Sequence, residues 1–465
     1  MLSTPLPDYK HSANQTNKTR AAAQAAKIGR ASSSRSGNCA ERKYALQSAE
    51  ARSARRELRA RSDSRSSTTG SSGLTAVTSS EPTSTDEALS RPFTIRNGRR
   101  FLRDMTLPYP LPCDLAEIHR QTLRTMLLCQ VFNGPVCSPE LQVKPPKRVL
   151  ELGCGTGFWS VMCHRHFAQR GFSSISFTGL DIAPLAPHIE SNDDMDWRFV
   201  QHDIRRGSVP FQDNEFHLIM IKDMSMVTQN TALHQTVMDD CIRILKPGGT
   251  LEVWDGDHTL RMLLPHVPPP TKEDDDSEDE IQMHTNAMGT YTLTRQTPLA
   301  APQNPFLHDY NGWVSKALEA RQLTAMPTPN ILPMLLQESE NLTDIDYRRL
   351  AIPLGEVRWE REGVGGSVPQ GPNDDFISSK GKAREPDRKT LTAGQLALRR
   401  TALMTVVQMI ESLEPLLREA SGKGQDEWDR WQGNMMNSLL KQNGTSWGEC
   451  LEVGAWWARK KKPPG

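Results

Sequence analysis

Val149-Leu150-Glu151-Leu152-Gly153-Cys154-Gly155-Thr156-Gly157 is the stretch that decides the fold. Its first four residues read as a short, largely apolar strand with one carboxylate, Glu151. Gly153, Gly155 and Gly157 then alternate in a loop that leads into a helix predicted to start near Phe158. Glycine at such positions permits positive φ and lets a ligand approach the backbone without meeting a Cβ. The helix N-terminus beyond supplies unpaired N–H groups. The dinucleotide fingerprint Gly-x-Gly-x-x-Gly needs a third glycine where this chain has Phe158, or Ser160 when counted from Gly155. The spacing therefore favours a nucleoside ligand without a pyrophosphate.

An α/β alternation continues downstream. Ile175 to Ile182 reads as a second strand, and its acid, Asp181, lies 24 positions after Gly157. An acid there can accept two hydrogen bonds from a ribose diol. Trp197 to Ile204 is a third segment and carries Asp203. Phe216 to Lys222 is a fourth strand. Thr231 to Leu245 places Leu233, Val237, Cys241, Ile244 and Leu245 at helical spacing, and Lys246-Pro247-Gly248-Gly249 stops that helix. Thr250 to Trp254 is a fifth strand, Leu342 to Ile352 a sixth and Leu451 to Ala458 the last.

Glu-x-Gly-x-Gly-x-Gly after an apolar strand, Asp181, Asp203 and the Leu245-to-Leu251 junction together resemble class I S-adenosylmethionine-dependent methyltransferases. The resemblance covers residues 149 to 255. It implies an α/β, Rossmann-like fold with a seven-stranded, mostly parallel sheet, helices on both faces, and a last strand inserted antiparallel beside the sixth. It implies S-adenosyl-L-methionine as cofactor. Glu151 and the loop residues Gly153, Cys154, Gly155 and Gly157 then lie near its methionine end. Asp181 lies at the ribose with Ile182 next to it, and Asp203 with Ile204 at the adenine. Each acid keeps a plainer alternative: Glu151 in solvent at the strand end, Asp181 as a helix cap, Asp203 as a loop acid.

Methyl transfer from a sulfonium needs positioning more than a fixed acid or base, and no catalytic residue is named. Lys222-Asp223-Met224-Ser225-Met226 follows the fourth strand. It lacks the Asn-Pro-Pro-aromatic motif that holds a planar amino group in adenine and glutamine methyltransferases, which argues against those substrates. Asp223 is a base, a substrate-orienting group or a structural acid. Tyr109 and Trp159 are cleft aromatics or core.

Upstream, Asn97-Gly98-Arg99-Arg100 reads as a turn. Tyr109-Pro110-Leu111-Pro112 then precedes Asp114, which with Glu117 forms an N-cap pair. Leu123, Met126, Leu127 and Val131 give the next helix an apolar face. With Trp159 after the glycine loop, this stretch resembles the fungal LaeA-like methyltransferases, a group linked to regulation of secondary metabolism and development. Cys113 and Cys154 depart from that pattern. Three functions follow: methyl transfer to a small-molecule or protein acceptor, a cofactor-binding regulator in a nuclear protein complex, or methyl transfer to nucleic acid, which the missing amino-group motif and the near-zero net charge oppose.

The chain of 465 residues is 37% hydrophobic and 24% charged, with net charge +1, which argues against a globally basic nucleic-acid binder. Residues 1 to 90 are low-complexity and expected to be a disordered basic tail. Residues 1 to 70 hold 14 Lys and Arg against 5 Asp and Glu. That tail is a solvated segment, a weak transit-peptide match, or a patch for nuclear import, nucleic acid or a protein partner. Residues 91 to 465 are expected to form the methyltransferase domain that the resemblance implies. Within it we expect a helical N-terminal cover (91 to 145), an exposed acidic loop (270 to 282), a helical lid region (305 to 338) and a disordered insertion (361 to 392). Leu403 to Leu417 and Trp428 to Leu439 read as amphipathic helices, the first broken near Pro415. The eight cysteines show neither Cys-x-x-Cys nor zinc spacing, and no metal is expected. No apolar stretch approaches the ~20 residues of a membrane span, so we expect an intracellular chain, cytoplasmic or nuclear.

Overall fold

A computed structural model describes residues 91–186, 195–228, 231–266, 276–362, 391–441 and 444–463. The expected basic tail, nearly all of the expected disordered insertion and residues 270–275 of the acidic loop lie outside the described residues. From Asp276 onward the expected loop is instead the first turns of a helix, and Arg361 and Glu362 likewise end a short helix.

The cover opens with a hairpin, β1 (Phe93–Arg96) and β2 (Arg99–Leu102). Asn97 and Gly98 both take positive φ at its turn, as a two-residue hairpin of matching twist requires. Helix α1 (Leu115–Val131) follows, and the Asp114 side chain accepts the Glu117 N–H at its start, as its position predicts. The Glu117 carboxylate does not reach back to complete a capping box. It takes a buried two-point ion pair from Arg120 instead. Leu127 and Val131 face the core with Leu128, but Met126, expected on that face, is half exposed (49%).

After α2 (Pro139–Val143), the alternation runs β3 (Arg148–Leu152), α3 (Phe158–Gln169), β4 (Ser176–Asp181), β5 (Asp196–Gln201), β6 (Phe216–Lys222), α4 (Thr231–Ile244) and β7 (Leu245–Gly256). The Pro-Gly-Gly run begins β7 rather than lying between helix and strand. There the pairing with β6 slips, with Gly248 at positive φ. The short β8 (Arg261–Leu263), α5 (Asp276–Met288), β9 (Tyr291–Thr292) and β10 (Leu299–Ala300) come next. The expected lid region forms α6 (Pro305–Glu319) and α7 (Thr328–Gln337), ahead of β11 (Leu342–Pro353) and α8 (Arg358–Glu362). Last come α9 (Ala393–Ser412), α10 (Glu414–Ser421), α11 (Gln425–Leu440) and β12 (Glu449–Lys460). The break between α9 and α10 falls just before Pro415, which sits in the first turn of α10, where a missing N–H costs nothing.

Seven strands make the body of the sheet in the order β5-β4-β3-β6-β7-β12-β11, and β8, β9 and β10 extend it at one edge. β5 through β7 pair in parallel, and β12 runs antiparallel between β7 and β11. The parallel strands are apolar on both sides because both faces are covered. Val149 packs in one apolar cluster with residues of α1, α3, α6 and α9 to α11. Leu150 and Leu152 pack in another with residues of α4 and α7. This alternation places Glu151 on the same face as Val149. Among the described residues no helix is long and apolar enough to cross a membrane.

Candidate functional site

β4 and β6 flank β3 on opposite sides, so the chain reverses its direction of winding there. Ligands of such sheets bind beyond the carboxyl ends of the strands at that point. A cleft lies in that place, lined by the ends of β3, β4, β6 and β7, the loop after β5, and by α1 and α9. Glu151, Gly153, Cys154, Gly155, Asp181, Ile182, Asp203 and Ile204 all line it. Gly157 does not. It is the N-cap of α3, at φ 70°.

Gly153 and Gly155 also take positive φ. Backbone bonds fix the loop: the N–H groups of Gly153 and Cys154 both donate to the Leu180 carbonyl, at 2.8 and 3.1 Å. A Cβ on Gly153 would run into the Met224 side chain. A Cβ on Gly155 would meet only Gln121 Oε1, at 3.7 Å, and would otherwise stand in the open cleft. The Cys154 side chain turns into the core, and burial pushes its thiol well up, so it is no nucleophile at neutral pH.

Asp181 bridges strand end and loop. Its Oδ2 accepts the Gly155 N–H at 2.8 Å and its Oδ1 the Ala183 N–H at 2.9 Å. Burial raises its carboxyl from the ordinary value against those bonds. Glu151 is buried and accepts both the Ser160 N–H (3.2 Å) and hydroxyl (2.7 Å). Burial lifts it to about 7, opposed by the Lys222 charge and the Ser160 bonds. Asp203 is buried, and both its oxygens are held by Arg205: Oδ1 by the backbone N–H and Nε at 3.0 Å, Oδ2 by Nη2 at 2.7 Å. Arg206 adds an ion pair at 3.2 Å. Asp203 lines the cleft as an already saturated acceptor.

Of the two aromatics, Trp159 belongs to the core, 1% exposed, and also lines the cleft, with its indole N–H donated to the Pro135 carbonyl at 2.9 Å. Tyr109 lines the cleft and its hydroxyl accepts from Gln121 Nε2 at 3.1 Å. Asp223 sits at φ 55°, and its carboxylate accepts from Arg124 Nε (2.9 Å) and Lys222 Nζ (3.1 Å). Burial opposes its ionisation, but the two cations win and hold it well below the usual carboxylate range.

Sequence reasoning missed the groups beyond Asp223. Ser225 donates to the buried Asp255, through N–H at 3.0 Å and hydroxyl at 2.9 Å, and shares a hydrogen bond with His258 Nε2 at 3.0 Å. Burial, then the nearby Asp223 charge, pushes Asp255 up. Burial and the Arg124 charge push His258 down to about 3, so its ring is neutral. Asp255 lies at the end of β7 and His258 just beyond it, at no motif spacing, and only the sheet brings them to Ser225.

Residues 149–249 match a family model described as a methyltransferase domain. A stretch of 125 residues is 31% identical to demethylmenaquinone methyltransferase of Tropheryma whipplei (strain Twist), covering 27% of this chain and 48% of the relative. A stretch of 94 residues is 30% identical to the secondary metabolism regulator laeA of Aspergillus niger, covering 20% of this chain and 23% of the relative. The chain thus spans about half the length of the first relative and about a quarter of the second. Among solved structures, the YcgJ protein of Bacillus subtilis aligns with TM-score 0.33 at 12% identity, over 74% of this chain and 100% of that one. A Haemonchus contortus phosphoethanolamine N-methyltransferase, solved with phosphomonomethylethanolamine and S-adenosylhomocysteine, aligns with TM-score 0.30 at 12% identity, over 75% and 59%.

Strand order, glycine loop and cleft define a Rossmann-like sheet with its cleft at the switch point. Residues 149–249 of the chain are similar to a methyltransferase domain, in line with the resemblance to class I S-adenosylmethionine-dependent methyltransferases. The residues present fit that cofactor: the cleft is open where a Gly155 Cβ would stand, and both Asp181 oxygens keep lone-pair capacity toward it.

Proposed function

We propose that this chain is an S-adenosylmethionine-dependent methyltransferase acting on a small-molecule or protein acceptor. The observation that carries the reading is the Asp181 carboxylate fixed against the Gly155 N–H at the edge of an open glycine loop. Asp181 and Ile182 would hold the ribose, and Glu151 with the Gly153 and Gly155 backbone the methionine end. Ile204 and Asp203 would flank the adenine. When bound, the cofactor supplies an electrophilic methyl group. The chain's own residues orient and desolvate. Tyr109, Leu111, Val406, Met409 and Leu451 wall the cleft from water. Arg124 and Lys222 pin Asp223 in its left-handed conformation beside the Ser225–His258 pair, where an acceptor's polar group would meet fixed partners.

Calorimetry with S-adenosylmethionine and S-adenosylhomocysteine tests the reading on wild type and Asp181→Ala. We expect micromolar-range binding, about −8 kcal/mol, severely weakened by the substitution. Unchanged affinity would remove Asp181 from the ribose role.

The similarity to a secondary metabolism regulator favours a second reading, a cofactor-binding regulator in a nuclear protein complex, with its partner held by the basic segment at residues 1–90. Removing residues 1–90 separates the two: lost partner binding with intact methyl transfer supports the regulator. A steep salt dependence of RNA or DNA binding would instead revive a nucleic-acid substrate.

A further inference from the structure

Residues 91–113 lie over the cleft as a strap, to which Leu102, Leu107, Tyr109, Leu111 and Cys113 contribute lining. The base of the strap is fixed. Arg99 makes a two-point ion pair with Asp114 at 2.7 Å, and Arg100 Nε donates to the Cys113 carbonyl at 2.8 Å. Its underside packs Leu102 and Cys113 on Ala183, two residues beyond Asp181. The tip, Asp104 to Thr106, is a polar turn: Thr106 donates its N–H and hydroxyl to Asp104 Oδ1 at 2.8 and 2.7 Å. Met105 there is 72% exposed, so little apolar area holds the tip down.

One side chain ties this tip to the cleft. Arg205 grips Asp203 with Nε and Nη2, reaches Asp104 Oδ2 with Nη2 at 2.6 Å, and donates Nη1 to Thr106 Oγ1 at 3.0 Å. Burial works against both carboxylates, yet the hydrogen bonds from Thr106 and Arg205 hold Asp104 below its ordinary value, and those from Arg205 do so for Asp203. Charge-assisted, forked bonds of this kind are stronger than neutral ones and fix orientation.

We infer that Arg205 is a positioning residue for the cofactor: by clasping the strap tip to Asp203 it closes the adenine end of the cleft and sets the rate at which cofactor leaves. The inference rests on the cofactor reading given above. A nucleoside in the cleft lies beneath the strap, whose base is anchored, so escape requires the tip to lift. The polar bonds that must break first are those of Arg205 to Asp104 and Thr106. The guanidinium is partly open to solvent, so salt weakens the clasp.

The experiment measures S-adenosylhomocysteine association and release by stopped-flow tryptophan fluorescence on wild type, Asp104→Asn, Arg205→Lys, Arg205→Ala and the Asp104→Asn/Arg205→Ala double variant. Release should quicken about five- to twenty-fold in Asp104→Asn and Arg205→Ala, with association within about twofold of wild type. The double variant should be no faster than the faster single one, and Arg205→Lys should recover part of the loss. Wild-type release should rise between about 50 and 500 mM salt, and the Asp104→Asn rate should not. Unchanged release in Asp104→Asn overturns the clasp. So does slower release in Arg205→Ala, which would mean that the guanidinium obstructs the adenine. A wild type that binds no S-adenosylhomocysteine would overturn the cofactor reading as well, a result distinct from either.

Discussion

Asp181 and Gly155, 26 positions apart, are joined by a 2.8 Å bond in which the side-chain Oδ2 accepts the loop N–H. This bond ties the end of β4 to the glycine loop beside the cleft. It also makes Asp181→Asn a sharper probe than removal of the side chain. The amide would turn a donor toward either the Gly155 or the Ala183 N–H, leaving one of them facing another donor. S-adenosylhomocysteine affinity should fall about 100-fold and the melting temperature by several degrees. Calorimetry beside thermal unfolding checks both, and near-wild-type values in the two assays would dissociate this bond from the cleft.

Two glycines of one loop should respond differently to alanine. Both pay the left-handed strain of an L residue, about 1–2 kcal/mol. At Gly155 the methyl enters open cleft, so Gly155→Ala should lose binding with little further loss of stability. At Gly153 it strikes Met224, so Gly153→Ala should also lower stability by a further ~1–3 kcal/mol through overpacking. Denaturant unfolding of both variants ranks them, and equal stabilities would contradict the packing at Met224.

Glu151 and Glu252 are both buried and both raised from 4.5 to about 7 by burial. Each folded carboxyl therefore holds its proton where the unfolded one has released it. The stability each contributes is full below pH 4.5 and is lost as pH rises to about 7, a change of roughly 3 kcal/mol. Replacing either by Gln should remove that share of the pH dependence of unfolding. Glu151→Gln should also weaken cofactor binding, about tenfold at pH 7. Glu252, which bonds the Cys137 N–H and the Trp254 indole away from the cleft lining, should leave binding unchanged.

Trp159 and Tyr109 both line the cleft, but only Trp159 is fully buried, so their substitutions should rank differently. Trp159→Phe strands the Pro135 carbonyl but keeps an aromatic ring against the cleft, so it should cost about 1–3 kcal/mol of stability and lower affinity less than Tyr109→Ala does. Tyr109→Ala opens the strap side of the cleft and should weaken affinity by more than it lowers stability. The reverse ranking in calorimetry and unfolding would exchange their roles.

The order of elements was legible because it is written in local patterns. Apolar runs marked β3, β4, β6 and β7, the first closed by glycine. The Asp114 cap and the Asn97-Gly98 turn each depend on neighbours within a few positions. The expected strands at Leu342 and Leu451 fall inside β11 and β12, because alternation along a strand is also local. Met126 was misplaced for a related reason: helical spacing defines a stripe but not which edge of it meets a neighbour.

The sequence by itself determined a strand–glycine loop–helix unit, the left-handed conformations it needs, and an acid at the end of the adjoining strand. These follow from backbone sterics and residue spacing, which act over a handful of positions. Only the tertiary structure decided what each acid faces. It occupied Asp203 with Arg205, tied that arginine to Asp104 101 positions away, and set Ser225 against Asp255 and His258. No periodicity encodes such pairings, because side chains distant in sequence meet only where the twist and order of the sheet bring them together.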